Sequence, residues 1–237
     1  MWLMGIDLYV GTLTRYYTRR WETAQQQAIA AMGGPPMNVV SPHGAFPMKG
    51  LSYGEAHRVI QDWRMGMGRA MRKQGVEFGG WKEDVAQPHA TASLTREGYG
   101  ALMLWAAYQE APELMPRQIT PEDWAADPAY EHVSGPGARF ASLYDAQAWV
   151  PVALAEPLLM PMPGGEQRVV ASVGGLDRAL RDLNACTWKV VDTDREAWFN
   201  EAAQCTRFEA AARVTFDCFR RQVDFAMKHV LPVMMDW

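Results

Sequence analysis

Apolar residues recur at helical period in three stretches. From Ser52 to Lys73 they stand at Ala56, Val59 or Ile60, Trp63, Met67, Ala70 and Met71, one face of a helix. Ser52 and Glu55 have capping-box spacing at its start, and Gly66 and Gly68 weaken it internally. Thr95–Glu110 is apolar almost all round, which predicts a buried helix closed by Pro112 and Pro116. From Thr206 to about His229 the apolar positions Ala212, Phe216, Phe219, Val223, Ala226 and Val230 alternate by four and three, with Arg213, Asp217, Arg220, Arg221, Asp224 and Lys228 mostly off the stripe. That stripe is expected to pack on the protein's own core, a seam between copies being the alternative.

Weaker signals fill the rest. Arg19–Met32 reads as a helix stopped by Gly33-Gly34-Pro35-Pro36, and Gly174-Gly175 opens another to about Asn184. Strands are predicted at Leu3–Val10, at Trp149–Leu154 and Arg168–Val173 around Pro161-Met162-Pro163-Gly164-Gly165, and at Thr187–Val191. The stretches 33–50, 75–93 and 116–144 are rich in Gly and Pro and read as irregular. Without regular βαβ alternation the expectation is α+β, a helix-dominated single domain over 1–237 with a small sheet of short strands. A sub-boundary would fall in 116–144.

Composition narrows the function classes. The 237 residues carry 23 Lys plus Arg against 27 Asp plus Glu, a net charge of −4, with 49% hydrophobic residues. A chain of this size buries about 70% of its unfolded surface, enough for one real core. The acidic balance weighs against nucleic acid, despite a local basic patch at Arg15, Arg19 and Arg20. Three widely spaced cysteines with no CxxC pair exclude a disulfide framework and a cysteine zinc site. No apolar run approaches the ~20 residues of a membrane helix, and the N-terminus has no basic n-region. No membrane attachment is expected, and a cytoplasmic address follows by default.

Motifs for chemistry fail on context. Gly66-Met67-Gly68 lies inside a helix, where no free backbone N–H could cradle a pyrophosphate. Val173-Gly174-Gly175 is better placed, between strand and helix, but a plain turn is the simpler reading. There is no GxSxG, SxxK or HExxH, and the five histidines stand far apart. His43, in Ser41-Pro42-His43-Gly44, is a loop ring that could serve as a base but has no partner in sequence. No catalytic residue, metal or cofactor is assigned.

Asp7 is the carboxylate that stands out. Alternation in Met4-Gly5-Ile6-Asp7-Leu8-Tyr9-Val10 puts Gly5, Asp7 and Tyr9 on one face, and Ile6, Leu8 and Val10 on the other. A charge there must face water or be paired, and Arg15, Arg19 and Arg20 follow closely. Asp192 and Asp194 form a second acidic pair, most simply a turn and an N-cap. Ten Trp exceed ordinary usage. Trp63, Trp105 and Trp198 sit in predicted helices. Trp81, Trp124 and Trp149 flank Gly- or Pro-rich connections, where rings are available to a partner.

The opening Met4-Gly5-Ile6-Asp7-Leu8-Tyr9-Val10-Gly11-Thr12-Leu13-Thr14-Arg15-Tyr16-Tyr17, with Trp21-Glu22 and later Tyr99–Tyr108, resembles an uncharacterised bacterial family of similar length that begins on the same "MGIDLY" phrase. The resemblance implies no activity and no catalytic residue. Proteins of this general kind look like immunity or accessory proteins of toxin systems. Two expectations follow. In the first, the protein binds a protein partner, a toxin or effector, through Trp/Tyr/Arg-rich segments that include Trp81 and Trp124. In the alternative, a small-ligand binder or hydrolase-like enzyme has a cleft around Asp7, with Tyr9, Arg15 and Tyr17 orienting the ligand.

Overall fold

The alternation around Asp7 organises the molecule. In a computed structural model describing residues 5–34, 51–73, 75, 77–135, 137–191, 197–198 and 205–236, Ile6, Leu8 and Val10 enter one apolar core and Tyr9 enters another. The strand carrying them, β1 (Gly5–Val10), therefore lies inside a sheet covered on both faces. The other strands are β2 (Ala90–Thr95), β3 (Ala148–Val150), β4 (Leu158–Pro161), β5 (Gln167–Ser172) and β6 (Val233–Asp236). Among the described residues they form one six-stranded mixed sheet, ordered β2-β1-β6-β3-β5-β4. All neighbours are antiparallel except β3 and β5.

Eight α-helices are seen among the described residues: α1 (Leu13–Tyr17), α2 (Ala24–Ala31), α3 (Tyr53–Lys73), α4 (Arg96–Glu110), α5 (Pro128–Val133), α6 (Ala141–Tyr144), α7 (Val173–Cys186) and α8 (Arg207–His229). The architecture is the helix-dominated α+β domain that the sequence pattern predicts. α4 lies along α8, and with α7 they cover the Ile6–Leu8–Val10 face. On the opposite face α1 and α3 bring Leu13, Tyr16, Ala56, Ile60, Met67 and Met71 against Tyr9, Ala148, Val150, Val170 and Met234. Each large apolar side chain so buried contributes about 1.5–3 kcal/mol. No helix of the described residues is long and apolar enough to cross a membrane.

The long helices keep their predicted bounds because their caps form. Ser52 Oγ accepts from the Glu55 N–H while the Glu55 carboxylate accepts from the Ser52 N–H. Thr95 and Thr206 accept from the N–H groups of Gly98 and Glu209. The α8 stripe is internal: Ala212, Phe216, Phe219, Val223 and Ala226 are buried. Val230 leaves it, 49% exposed, as the C-cap in left-handed conformation (φ 54°, ψ 57°), its N–H donating to the Ala226 carbonyl. A β-branched residue pays about 1–2 kcal/mol there, and a half-exposed one recovers little of that by packing. Val230→Gly is therefore expected to stabilise the protein by about 1 kcal/mol, read from urea denaturation midpoints.

Several expectations are corrected. The predicted 19–32 helix shortens to α2, because Arg19 turns with φ 53° and Thr23 starts the helix by accepting from the Gln26 N–H; α1, which precedes it, is a separate helix that the pattern did not predict, capped by Thr12. Thr187–Val191 is not a strand. The Asn184 amide takes both backbone groups of Val190, at 2.8 and 3.0 Å, which removes them from any ladder. The segment predicted at 149–154 is strand only where it overlaps β3, and that at 168–173 largely matches β5; the two strands are parallel neighbours, and the Pro161–Gly165 connection instead closes a hairpin between β4 and β5. The 116–144 stretch holds the 3-10 turn Pro121–Ala126 as well as α5 and α6, and it sends Tyr130, Phe140, Leu143 and Tyr144 into the core beside α4. His43 and the Asp192/Asp194 pair lie outside the described residues.

Candidate functional site

The short helix α1 joins two polar assemblies. At its N-terminus the carboxylate of Glu83, 3% exposed, accepts from the N–H groups of Leu13 (3.0 Å) and Thr14 (2.8 Å), the Thr14 hydroxyl (2.7 Å) and the Trp81 indole N–H. A buried charge is tolerable here because orphan donors at a helix start are met by an acceptor. Beside this contact an open cleft of about 670 Å³ separates α3 from the Trp81–Val85 segment. Tyr53 and His57 form one wall, their rings stacked 6.2 Å apart. Arg64 and Trp81 form another, with the guanidinium 4.6 Å above the indole ring. Arg64 donates to Gln61 Oε1 at 2.9 Å and to the Trp81 carbonyl. Burial pulls the Arg64 pKa down, only partly offset by Glu83. Lys82, Asp84 and Val85 are exposed at the rim.

The second assembly sits at the other end of α1. Asp7 on β1 and Asp236 on β6 are directly paired across the strands, so their carboxylates share one face. Asp236 accepts from the Tyr16 hydroxyl and pairs with Arg19 (3.2 Å) and Arg168 (3.5 Å). Arg168 also reaches Glu166, at 3.4 Å, and Glu166 accepts from the Tyr17 hydroxyl at 2.7 Å. Burial raises the Asp7 pKa; a Ser93 hydrogen bond opposes this, Asp236 adds to the rise and Arg19 works against it. Burial likewise pushes the Tyr16 and Tyr17 hydroxyls well above their ordinary value, so both remain protonated donors.

The expected site residues thus divide. Asp7 and Tyr17 belong to the carboxylate–arginine cluster. Arg15 stands near the cleft, donating to the carbonyls of Gln87 (2.9 Å) and Val85 (2.7 Å) and to His89. Tyr9 is fully buried between Tyr16 and Trp21, its hydroxyl donating to the Thr12 carbonyl, so it orients no ligand. Trp81 is not the exposed ring expected of a Gly-flanked position: it contributes to the cleft wall, but at 5% exposure it is anchored by Glu83. Trp124 is half-buried between Tyr99 and Tyr130, on the far face of the sheet. Among the described residues no Trp is exposed. The tryptophan excess fills cores, as with Trp105 stacked on Trp188 at 5.3 Å.

Sequence reasoning missed Glu83, Arg64, Glu166, Arg168 and Asp236. Two signals were available: Asp7, whose charge interrupts an apolar strand and demands neighbours, and Arg64, which stands between Ile60 and Gly68 on the buried face of α3. No family model, curated protein or solved structure matches the chain.

Proposed function

We propose that the protein acts by recognition, binding a partner protein in the bacterial cytoplasm through the cleft between α3 and Trp81–Val85, in an immunity or accessory role. One observation carries this reading. Tyr, Arg and Trp, the residue types that dominate binding hot spots, converge from two separate segments on one cleft open to solvent. The partner is received into the cleft, rather than pierced by exposed tryptophans.

Gly54 supplies the test. It lines the cleft, and a Cβ built on it meets nothing within 4 Å, so a side chain can start there without a clash with its surroundings. Affinity capture from the native host is expected to return a stoichiometric toxin or effector. Gly54→Trp should lose that partner while keeping its circular dichroism spectrum. Absence of any stoichiometric protein, or undiminished capture by Gly54→Trp, counts against the reading.

The Asp7–Asp236 pair favours a second reading, a small-ligand site at that end of the sheet. Ion pairs that cost desolvation are weak stabilisers, and perturbed carboxylates gather at functional sites. A raised folded-state pKa means that Asp7 contributes stability below its unfolded value near 4, and that this is lost as pH rises through the folded value. At neutral pH Asp7 is therefore a net cost. Asp7→Asn is expected to stabilise the protein by less than about 1 kcal/mol, since solvent screens the partly exposed group, and to flatten the acid side of the stability–pH curve. If the site takes a ligand, the same variant loses thermal stabilisation by members of a metabolite panel that stabilise wild type. Unfolding of Asp7→Asn would instead make the aspartate a structural partner of Arg19.

A further inference from the structure

The cleft holds a cation that makes no ion pair among the described residues, although the Glu83 charge acts on it from a distance. Among the described residues no carboxylate lies within ion-pair distance of Arg64, half-buried over Trp81, and its Nε is buried without a hydrogen-bond partner. The nearest acid, Glu83, is spent: both of its oxygens are taken by α1 and the Trp81 indole. Asp84 at the rim turns one oxygen to the Ala86 N–H, at 2.8 Å. Partly desolvating an unpaired guanidinium costs the fold, and an incoming anion would remove that cost.

The geometry narrows the anion. Each terminal nitrogen of a guanidinium carries two N–H groups. Nη1 spends one on Gln61 and Nη2 spends one on the Trp81 carbonyl, which leaves one on each. Two N–H groups suffice for the two oxygens of a carboxylate or of a phosphate, and the carboxylate is the one that an unmodified polypeptide partner carries. The Tyr53 and His57 rings and the apolar Val85 line the same cleft, with Lys82 exposed at the rim. We infer that the cleft takes a carboxylate side chain from an acidic segment of the partner polypeptide, flanked there by aromatic or aliphatic residues, with Arg64 as counter-ion and Lys82 steering its approach. This rests on the recognition reading above. It also reverses the expectation from net charge, because a chain of −4 would steer toward basic partners while this cleft selects an acidic one.

The experiment uses the full chain and three probes at low salt: acetyl-Phe-Glu-Phe-amide, acetyl-Phe-Gln-Phe-amide and inorganic phosphate. Binding is followed by the Arg64 Nε–H resonance and by tryptophan emission. The Glu peptide is expected to bind at least about ten-fold more tightly than the Gln peptide, a preference of about 1.4 kcal/mol. Arg64→Gln should abolish the preference. Lys82→Glu, at an exposed position, should weaken the Glu peptide several-fold without changing the Tm, and it keeps the test alive if Arg64→Gln folds poorly. Equal affinity for the two peptides, a preference that survives both variants, or phosphate binding as tightly as the Glu peptide would overturn the inference. Loss of the Glu preference with cellular capture intact sinks this inference alone. Failed capture with the preference intact sinks the partner reading and leaves a carboxylate site standing.

Discussion

Gly100→Ala is expected to destabilise the protein by about 3 kcal/mol or more, although alanine is the better helix former. The residue lies in α4 where the 3-10 turn Pro121–Ala126 crosses it, and a Cβ there would overlap the Pro121 carbonyl oxygen and come within 2.6 Å of Trp124 Cδ1. The first obstacle is backbone, so no rotamer change relieves it. Separating the turn from α4 would also loosen Trp124 from Tyr99 and Tyr130. Overpacking of this kind costs about 1–3 kcal/mol and occasionally more, against a gain of about 1 from removing a helical glycine. Gly66→Ala makes the control. It sits in α3 with nothing within 4 Å of its Cβ, so only the helix gain remains and about 1 kcal/mol of stabilisation is expected. Urea denaturation of the two variants should move in opposite directions; matching shifts would refute the crossing as the reason for Gly100.

The second large effect is at Glu83. Glu83→Ala strands two backbone N–H groups, a hydroxyl and an indole N–H that now share one carboxylate. Each buried donor left without an acceptor costs about 1–3 kcal/mol, but water entering from the neighbouring cleft would recover part of it. The expected net loss is about 4 kcal/mol. Glu83→Gln should lose about half as much, since it keeps one acceptor and turns an NH2 group toward donors. Hydrogen exchange at the Leu13 and Thr14 amides gives a local reading, and in Glu83→Ala both should lose protection well before β1. Because α1 also carries Tyr16 and Tyr17, the same variant should disturb the Asp236 and Glu166 contacts at the opposite end. A variant that unfolds only globally would show that α1 is held by its packing instead.

What could be read from the sequence follows the range of the forces involved. α3, α4 and α8 are legible because their period persists over four turns or more and their caps are local. β2 and β6 are not. Ala90–Thr95 has no bulky β-former except Leu94, and Val233–Asp236 is four residues long; both are strands because β1 offers its edges. At the site, Asp7 was visible because a carboxylate in an apolar strand conflicts with its surroundings. Arg64 was overlooked although it stands four residues after Ile60 and four before Gly68, on the buried face of α3, where a charge does conflict with its neighbours; only the fold shows that Trp81 lies beneath it. Glu83, Arg168 and Asp236 acquire their meaning chiefly from contacts with residues 67 to 220 positions away.

The position of β6 between β1 and β3 sets an order on biosynthesis. β1 is made first, yet one of its two hydrogen-bonding edges stays open until residue 236 clears the ribosome, and the β3 half of the sheet has no bridge to it before then. Until β6 is made the nascent chain would carry an unsatisfied, apolar edge strand, a template for pairing with other chains. Chaperone dependence and loss of yield on deleting β6 are the expected signs of a fold whose keystone is made after the strands it joins.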